Sequence, residues 1–452
     1  MQIDTTIFKA YDIRGIHPKQ INLKIYQAIG TATGNILKAK SCVVGRDMRL
    51  SSPELTRAFT DGMRASGADV TDVGLVSTDA LYFAVGKYGF DCGAMITASH
   101  NPSEYNGLKM CMAKAEPLSS KKELKEIKEL VETDSFKSSD YQGSLTKHNI
   151  IKDFIDHVLS FVDVSTIKPF KIVVDAGNGM AGLIVPELFK KLPCELIPMY
   201  FDLDGSFPNH PASPIEPENI VDLRKKVLEV KADFGVAFDG DADRMFLVDE
   251  KANPLGGDMV TALVSQSILE KNPKANIIYN LICSKAVPEV IKAAGGNPVR
   301  TRVGHAFIKT LMKENNAVFG GEHSGHFYFK DNWFADSGLI ALIVCLELLS
   351  KSSDKENMKP ELSKLVASFD KYYRSGEINS KVNDIPAKLD ELVKEFPDAG
   401  IDYLDGVTID CGNYWFNIRP SNTEPLLRLN LEAESEQLMK EASEKVLEII
   451  RR

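Results

Sequence analysis

Asp233-Phe-Gly-Val-Ala-Phe238 runs straight into Asp239-Gly-Asp241-Ala-Asp243-Arg244. The first segment is short, apolar and rich in Val and Phe, so it reads as a buried strand. The second is polar and closely spaced, so it reads as the loop that the strand delivers. The same layout recurs along the chain. Ser41-Cys-Val-Val-Gly45 is a buried strand, and Asp91-Cys-Gly-Ala-Met-Ile-Thr97 leads into Ala98-Ser-His-Asn-Pro102. Lys171-Ile-Val-Val-Asp175, Asn276 to Asn280 and Ala317 to Gly320 are further strand candidates. Helical spacing occupies the intervals. Glu54 to Ser66 carries Leu55, Phe59 and Met63 on one face. Ser120 to Val131 carries Leu124, Ile127, Leu130 and Val131, with Ser120 and Glu123 forming a capping box. Strands alternating with helices predict α/β layers repeated three times, then a different C-terminal domain. The loose polar segment Glu132 to Ser144 marks a first boundary, and the third unit starts near Pro254. Lys351 to Lys359 reads as a linker, and Glu434 to Arg452 as a helical tail.

The chain has 452 residues, with 54 Lys and Arg against 63 Asp and Glu, a net charge of −9. At about 100–200 residues per domain, several domains are expected. Hydrophobic content of 44% excludes disorder. A net acidic chain argues against nucleic-acid and anionic-membrane partners, and any phosphate site must gather positive charge locally. The seven cysteines, Cys42, Cys92, Cys111, Cys194, Cys283, Cys345 and Cys411, form no CxxC pair, which suits a reducing cytoplasm. Met1 to Gly15 lacks the layout of a signal peptide, and the apolar run Leu339 to Leu346 is too short to span a bilayer. A soluble cytoplasmic protein is expected.

Four motifs carry chemistry. Asp239, Asp241 and Asp243, spaced by small residues, can converge on one hard cation, and all-oxygen ligands favour Mg²⁺. The competing reading is an acidic surface turn, but three close carboxylates repel without a counter-ion. Thr97-Ala-Ser99-His100-Asn101-Pro102 sets a serine at a strand-to-loop corner beside a histidine, a place for a nucleophile or phosphoryl carrier, though also an unremarkable turn. Gly321-Glu322-His323-Ser324-Gly325-His326 is polar and glycine-bounded. Arg419-Pro-Ser421-Asn422-Thr423-Glu-Pro, with Arg428 beyond, offers a guanidinium, hydroxyls, an amide and backbone N–H groups, a phosphate cradle. A fifth match misleads. Gly177-Asn-Gly179-Met-Ala-Gly182 fits G-x-G-x-x-G, with Glu195 and Asp202 downstream. However, Pro186 interrupts the following helix early, and a tight strand-to-helix turn is the better reading.

Together the four motifs closely resemble those of the α-D-phosphohexomutase family, in its phosphomannomutase/phosphoglucomutase branch, in the family's order and over essentially the whole chain. The resemblance implies three related α/β/α domains with mixed sheets plus a C-terminal α+β domain with a helix-flanked antiparallel sheet, around a central cleft. The segments are 1–145 with the phosphoserine loop, 146–250 with the metal loop, 251–365 with the sugar loop and 366–452 with the phosphate loop. It implies that Ser99 is the phosphoserine and that Asp239, Asp241 and Asp243 hold one Mg²⁺ together with the Ser99 phosphate. Glu322 and Ser324 match the sugar-recognition loop; Arg419, Ser421, Asn422 and Thr423 match the loop gripping the distal phosphate. Tyr11-Asp-Ile-Arg14-Gly15 matches a signature whose arginine faces the serine, Asn106-Gly-Leu-Lys109 places a lysine beside the transferred group, and Gly304-His305-Ala-Phe-Ile-Lys309 matches a substrate-facing segment. Ala242 stands where many relatives carry glycine. Ile282 stands where some carry a phosphate-binding lysine, for which Lys285 is a substitute.

The implied activity interconverts hexose 1-phosphates and hexose 6-phosphates of mannose or glucose. It passes through phosphoserine 99 and a glucose or mannose 1,6-bisphosphate that turns end for end. Mg²⁺, Arg14, Arg244 and Lys109 supply positive charge at the transferred group, and Arg428 joins the substrate-binding residues. Lys109 and His100, then His305, are the candidate general bases. Glutamine is usual in glucosamine mutases at the position of His323, which favours mannose and glucose. The competing functions are a phosphoglucosamine mutase, a Mg²⁺-dependent sugar phosphatase and a non-catalytic sugar-phosphate binding protein. Expected partners are small sugar phosphates, with a monomer or weak homo-oligomer as the assembly, and regripping of phosphate calls for a hinge before the last domain.

Overall fold

The computed structural model describes residues 3–119, 121–352, 359–420 and 426–452, with the backbone alone at 305 and 306. The chain divides into two compact units, Met1–Val260 with Ser324–Ser363, and Thr261–His323 with Lys364–Arg452.

The first unit holds two mixed sheets. In one, Ser41–Arg46 lies between its parallel neighbours Asp69–Leu75 and Cys92–Ile96. Tyr105–Met112 and then Ile13–Ile16 continue the sheet antiparallel. Cys92–Ile96 is buried at every residue, because sheet neighbours flank it and helices cover it, so it reads as unbroken apolar sequence. Arg46 pairs with Ile96, which makes Asp47 to Ser52 and Thr97 to Pro102 leave the same edge of the sheet together. The antiparallel register then sets Lys109 opposite Met95 and Arg14 opposite Gly107. In the second sheet Lys171–Asp175, Glu195–Met199 and Phe234–Phe238 run parallel and Met245–Asp249 returns antiparallel. Phe238 faces Met245, so Asp239 to Arg244 form the whole connection between two fully buried strands.

Several sequence expectations shift here. The amphipathic helix runs over Glu123–Thr133; Leu124, Ile127 and Val131 are buried and Leu130 only partly so. Ser120 lies outside the described residues, and the Glu123 carboxylate accepts instead from the Ser119 N–H at 3.0 Å. Pro186 does not stop its helix, which spans Ala181–Phe189 with the proline inside. The preceding glycine-rich turn places Gly177 and Asn178 at φ 51° and 58°, the left-handed backbone that glycine and asparagine tolerate. The strand read as Ala317 to Gly320 is Phe319–Gly321. Most of the expected linker, at 353–358, lies outside the described residues. The apolar run Leu339 to Leu346 sits inside the buried helix Gly338–Lys351. Among the described residues no helix is long and apolar enough to cross a membrane.

The second unit holds Asn297–Thr301, Asn276–Asn280 and Phe319–Gly321 in a parallel arrangement. Its other sheet is antiparallel, ordered Tyr373–Lys381, Leu426–Ala433, Tyr414–Pro420, Val407–Asp410, Gly400–Asp402. Helices Ile385–Glu395 and Glu436–Arg451 close its core through Leu392, Val446, Ile449 and Ile450 against Ile409, Phe416, Ile418 and Leu429. The tail helix starts at Glu436 because the Ser435 side chain accepts from the Leu438 N–H, an N-cap.

The helix Ser52–Ala65, which leaves the site loop Asp47 to Ser51, is seated by glycines. A Cβ on Gly62 would lie 2.0 Å from the Gln27 carbonyl oxygen, and one on Gly30 would lie 2.3 Å from that of Phe59. The helices Leu23–Leu37 and Ser52–Ala65 therefore touch backbone to backbone. Gly62→Ala should cost about 1–3 kcal/mol by forcing them apart, read as a lower melting temperature; an unchanged transition would contradict this packing.

Candidate active site

The acidic loop is a buried charge cluster. Asp239, Asp241 and Asp243 are all buried, with carboxylate oxygens within 4.8 Å of one another. Their partners divide each carboxylate in two. Asp241 Oδ2 accepts from Thr78 Oγ1 at 2.6 Å and Lys109 Nζ at 2.7 Å, and Asp243 Oδ2 accepts from Lys109 Nζ at 2.5 Å. Among the described residues Asp241 Oδ1 and Asp243 Oδ1 are buried without a hydrogen-bond partner. Two orphaned anionic oxygens beside a third carboxylate are what a hard divalent cation satisfies, so the donor set fits Mg²⁺. Burial pushes Asp239 well above the usual carboxylate range, helped by the charges of Asp243 and Asp241. Burial and Asp241 push Asp243 up to about 6. Burial acts on Asp241 too, but the charge and hydrogen bond of Lys109 and the Thr78 hydroxyl hold it well below that range. Ala242 sits at φ 61°, left-handed backbone, which explains why glycine suits this position.

Ser99 meets this loop directly. Its hydroxyl donates to Asp239 Oδ2 at 2.6 Å, across 140 positions of chain. The residue is fully buried and left-handed, at φ 50°. Arg244 Nη2 lies 3.4 Å from Ser99 Oγ and 2.8 Å from His100 Nδ1. Arg14 Nη1 donates to the Ala98 carbonyl at 3.3 Å and to Asn101 Oδ1, and its Nε to Asp12 Oδ2 at 2.8 Å. Ser99, His100, Lys109, Arg14 and Arg244 thus come together with the three aspartates in one unit, with Tyr11 two residues before the strand that carries Arg14. The general-base candidates fare differently. Burial works against the Lys109 charge, but Asp241 and Asp243 more than offset it and hold the ammonium protonated. The positive charge of Arg244, then burial, hold His100 neutral, with Nδ1 facing that guanidinium. In this arrangement Lys109 is a cation rather than a proton acceptor.

Ser324 lies in the same unit, its Oγ 3.2 Å from His326 Nδ1. Glu322 belongs to the second unit, where Oε2 accepts from the Gly304 N–H at 3.3 Å and Asn280 Nδ2 at 3.4 Å. His305 begins the helix His305–Glu314. Arg419 and Arg428 are cross-strand partners that share Glu377, at 2.6 Å and 3.1 Å. Among the described residues Arg419 Nη1 is buried without a hydrogen-bond partner, an open donor for an anion. Ser421, Asn422 and Thr423 lie outside the described residues. Lys285 is engaged elsewhere, with Asp410 at 3.2 Å.

Sequence reading missed several members. His326 Nε2 accepts from Arg244 Nε at 3.1 Å and lies 3.8 Å from both Asp243 and Asp336. Asp47 and Arg49 lie beneath the serine loop. They stand just past the buried strand that ends at Arg46, where loops at the C-terminal ends of parallel strands carry function, and that position was a usable signal. Thr78 gave none, since its hydroxyl serves a residue 163 positions away.

A serine on one sheet's loop, hydrogen-bonded to a triple-carboxylate loop of another sheet, is the arrangement of a phosphoryl-transfer site with a metal, and known proteins share it with this chain. The descriptions "Phosphoglucomutase/phosphomannomutase, alpha/beta/alpha domain" I, II and III match residues 5–138, 152–256 and 256–372, and the C-terminal domain of that family matches 377–449. The chain is 41% identical over 451 residues to a phosphomannomutase of Methanocaldococcus jannaschii, covering 99% of this chain and 98% of that protein. It is 42% identical over 428 residues to a Xanthomonas campestris protein named phosphohexose mutases, with 94% of each covered. A crystal structure of a phosphoglucomutase/phosphomannomutase family protein from Burkholderia thailandensis superposes with a TM-score of 0.89 at 32% identity, over 99% of this chain and 97% of that one. The chain belongs to the phosphoglucomutase/phosphomannomutase family.

Lys109 is the counter-ion that the two aspartates share. Lys109→Met should cost the metal-free protein about 3 kcal/mol or more, because it strands buried charge. Mg²⁺ should recover much of the loss in a thermal melt, and a transition insensitive to both changes would contradict this reading.

Proposed function

We propose that the protein is a phosphohexomutase acting on mannose and glucose phosphates, in which Ser99 carries the phosphoryl group. The observation that carries this reading is the Ser99 hydroxyl, 2.6 Å from the Asp239 carboxylate and 3.4 Å from Arg244, with Arg14 on the neighbouring Ala98 carbonyl and Lys109 on Asp241 and Asp243 of the same loop. Family membership supports it. Asp239, Asp241, Asp243 and the phosphate on Ser99 would hold one Mg²⁺ per chain, which when bound neutralises charge on the phosphoryl oxygens.

The chain's own groups account for the rest. The bond from phosphorus to Ser99 Oγ breaks as a bond forms to the free hydroxyl of a hexose 1-phosphate, whose proton leaves to a base. The product is the 1,6-bisphosphate. After it turns, the phosphate at its other end bonds to Ser99 Oγ as its bond to the sugar oxygen breaks, and that oxygen takes back the proton from the base, leaving hexose 6-phosphate. Arg244 reaches Ser99 Oγ while its Nε is held by His326, so the guanidinium is oriented to follow phosphate as charge shifts between the two oxygens. The Lys109 ammonium lies across Asp241 and Asp243, ready to offset added negative charge. Arg419, sharing Glu377 with Arg428, leaves Nη1 for the non-reacting phosphate, together with Ser421, Asn422 and Thr423. Glu322 and Ser324 read the sugar hydroxyls, and Tyr11 and His305 line the substrate. We assign the domains as 1–145, 146–250, 251–365 and 366–452, and the seven free cysteines support a cytoplasmic location.

Intact mass spectrometry after incubation with glucose 1,6-bisphosphate should show one added phosphate on wild type and none on Ser99→Ala; an unmodified wild type would refute the mechanism. Turnover should favour mannose and glucose 1-phosphates over glucosamine 1-phosphate, and preference for the amino sugar would reverse the substrate assignment.

A further inference from the structure

Arg49 has no part in the chemistry described above, yet it is among the most thoroughly engaged side chains of the molecule. Its side chain is wholly buried and faces Asp47, likewise buried, at 3.2 Å between Nε and Oδ2. The remaining donors fan out beneath the serine loop. Nη2 donates to the carbonyls of Ser99 at 2.8 Å and Asn101 at 2.6 Å. Nη1 donates to those of Pro102 at 2.7 Å and Tyr105 at 2.9 Å. Four carbonyls of one loop turn inward onto one guanidinium. Ser99 is fully buried, so its carbonyl would be costly to leave without a donor, and the same guanidinium ties down three more carbonyls as far as Tyr105. Among side chains, only arginine offers five N–H donors in a rigid plane; lysine offers three from a single point.

The loop conformation needs such a hold. A serine at φ 50° sits in backbone that non-glycine residues avoid, a strain that persists only where surroundings over-determine it. Here every polar group of Ser99 is taken by a different side chain. Its N–H donates to Thr97 Oγ1 at 2.9 Å, its carbonyl accepts from Arg49, and its hydroxyl donates to Asp239. The metal loop closes over the same carbonyl, since a Cβ on Gly240 would lie 2.5 Å from the Ser99 oxygen. The guanidinium is itself fixed from two sides. The Phe207 ring lies 5.1 Å from Arg49 Cζ, and Asp47 is anchored by the Arg49 N–H at 3.0 Å and Ser52 Oγ at 2.6 Å.

We propose that Arg49, oriented by Asp47, is a positioning residue that holds the Ser99 loop in its left-handed conformation and so aims the phosphoryl group in line with the incoming sugar hydroxyl. This rests on the phosphoserine reading of Ser99. Arg49 touches neither phosphate nor sugar in this role; its effect passes through the Ser99, Asn101, Pro102 and Tyr105 carbonyls.

The test uses full-length wild type, Arg49→Lys, Arg49→Met and Asp47→Asn. Each is checked for a cooperative melt and loaded with glucose 1,6-bisphosphate, with Ser99 occupancy followed by intact mass. Single-turnover transfer to mannose 1-phosphate is then compared with loss of phosphate to water. For Arg49→Lys the transfer rate per loaded serine should fall about a hundredfold, the scale of an ångström of misplacement, while KM for the sugar phosphate stays put. Loss to water should gain on transfer. Asp47→Asn should show the same split more mildly, and it decides the matter if neither Arg49 variant folds. Wild-type transfer per loaded serine in folded Arg49→Lys, or in Asp47→Asn where only that variant folds, would overturn the proposal. So would a loss confined to the folded fraction or to KM. A wild type that never takes phosphate would instead refute the phosphoserine reading.

Discussion

One hydrogen bond, from the Ser99 hydroxyl to the Asp239 carboxylate, ties together two sheets that share no strand. Satisfying it makes demands on both. The serine must leave its strand in left-handed backbone, and the aspartate must be presented by a hairpin loop whose flanking strands are buried along their length. The sheets supply rigidity, and the loops supply chemistry at their edges. This division of labour lets one corner of the molecule hold a nucleophile within hydrogen-bond reach of a charged cluster without collapsing.

The cluster is held together by pairing rather than by solvation. Three buried carboxylates would repel strongly, and burial alone drives Asp239 and Asp243 toward protonation. Lys109 across Asp241 and Asp243, and Arg244 near Asp239, make the arrangement tenable before a metal arrives. Two oxygens remain for the metal because the lysine and Thr78 occupy only the other side of each carboxylate. An acidic protein of net charge −9 can therefore gather Arg14, Lys109 and Arg244 beside its serine and aspartate loops. The sign of the whole chain describes its surface, and the site answers to neighbours a few ångströms away.

How much of this was legible in the sequence follows from the range of each interaction. Phe234–Phe238 was readable because a strand flanked by others within a sheet is apolar throughout, and Asn276–Asn280 because its centre, Ile277 and Ile278, is fully buried. The aspartate run and the serine corner were readable because their chemistry sits in consecutive residues. Helix ends were less so. Pro186 was read as interrupting its helix early, although it lies inside it, and the Glu123 carboxylate serves the Ser119 N–H, while Ser120 lies outside the described residues. Arg49, Thr78 and His326 went unassigned because what they do depends on partners far along the chain. For Arg49 the only trace was its place just past a parallel strand, and for Thr78 there was none, because such contacts exist only once the sheets have formed.

The central claim is that the serine loop and the aspartate loop act as a single phosphate-and-metal site. The most direct measurement is the phosphorus resonance of protein phosphorylated on Ser99, recorded as Mn²⁺ and then Mg²⁺ are added. If the phosphate and the carboxylates share one ion, bound Mn²⁺ should broaden that resonance severely, and excess Mg²⁺ should restore it. A sharp phosphoserine signal in protein shown to have bound Mn²⁺ at Asp239, Asp241 and Asp243 would contradict the claim.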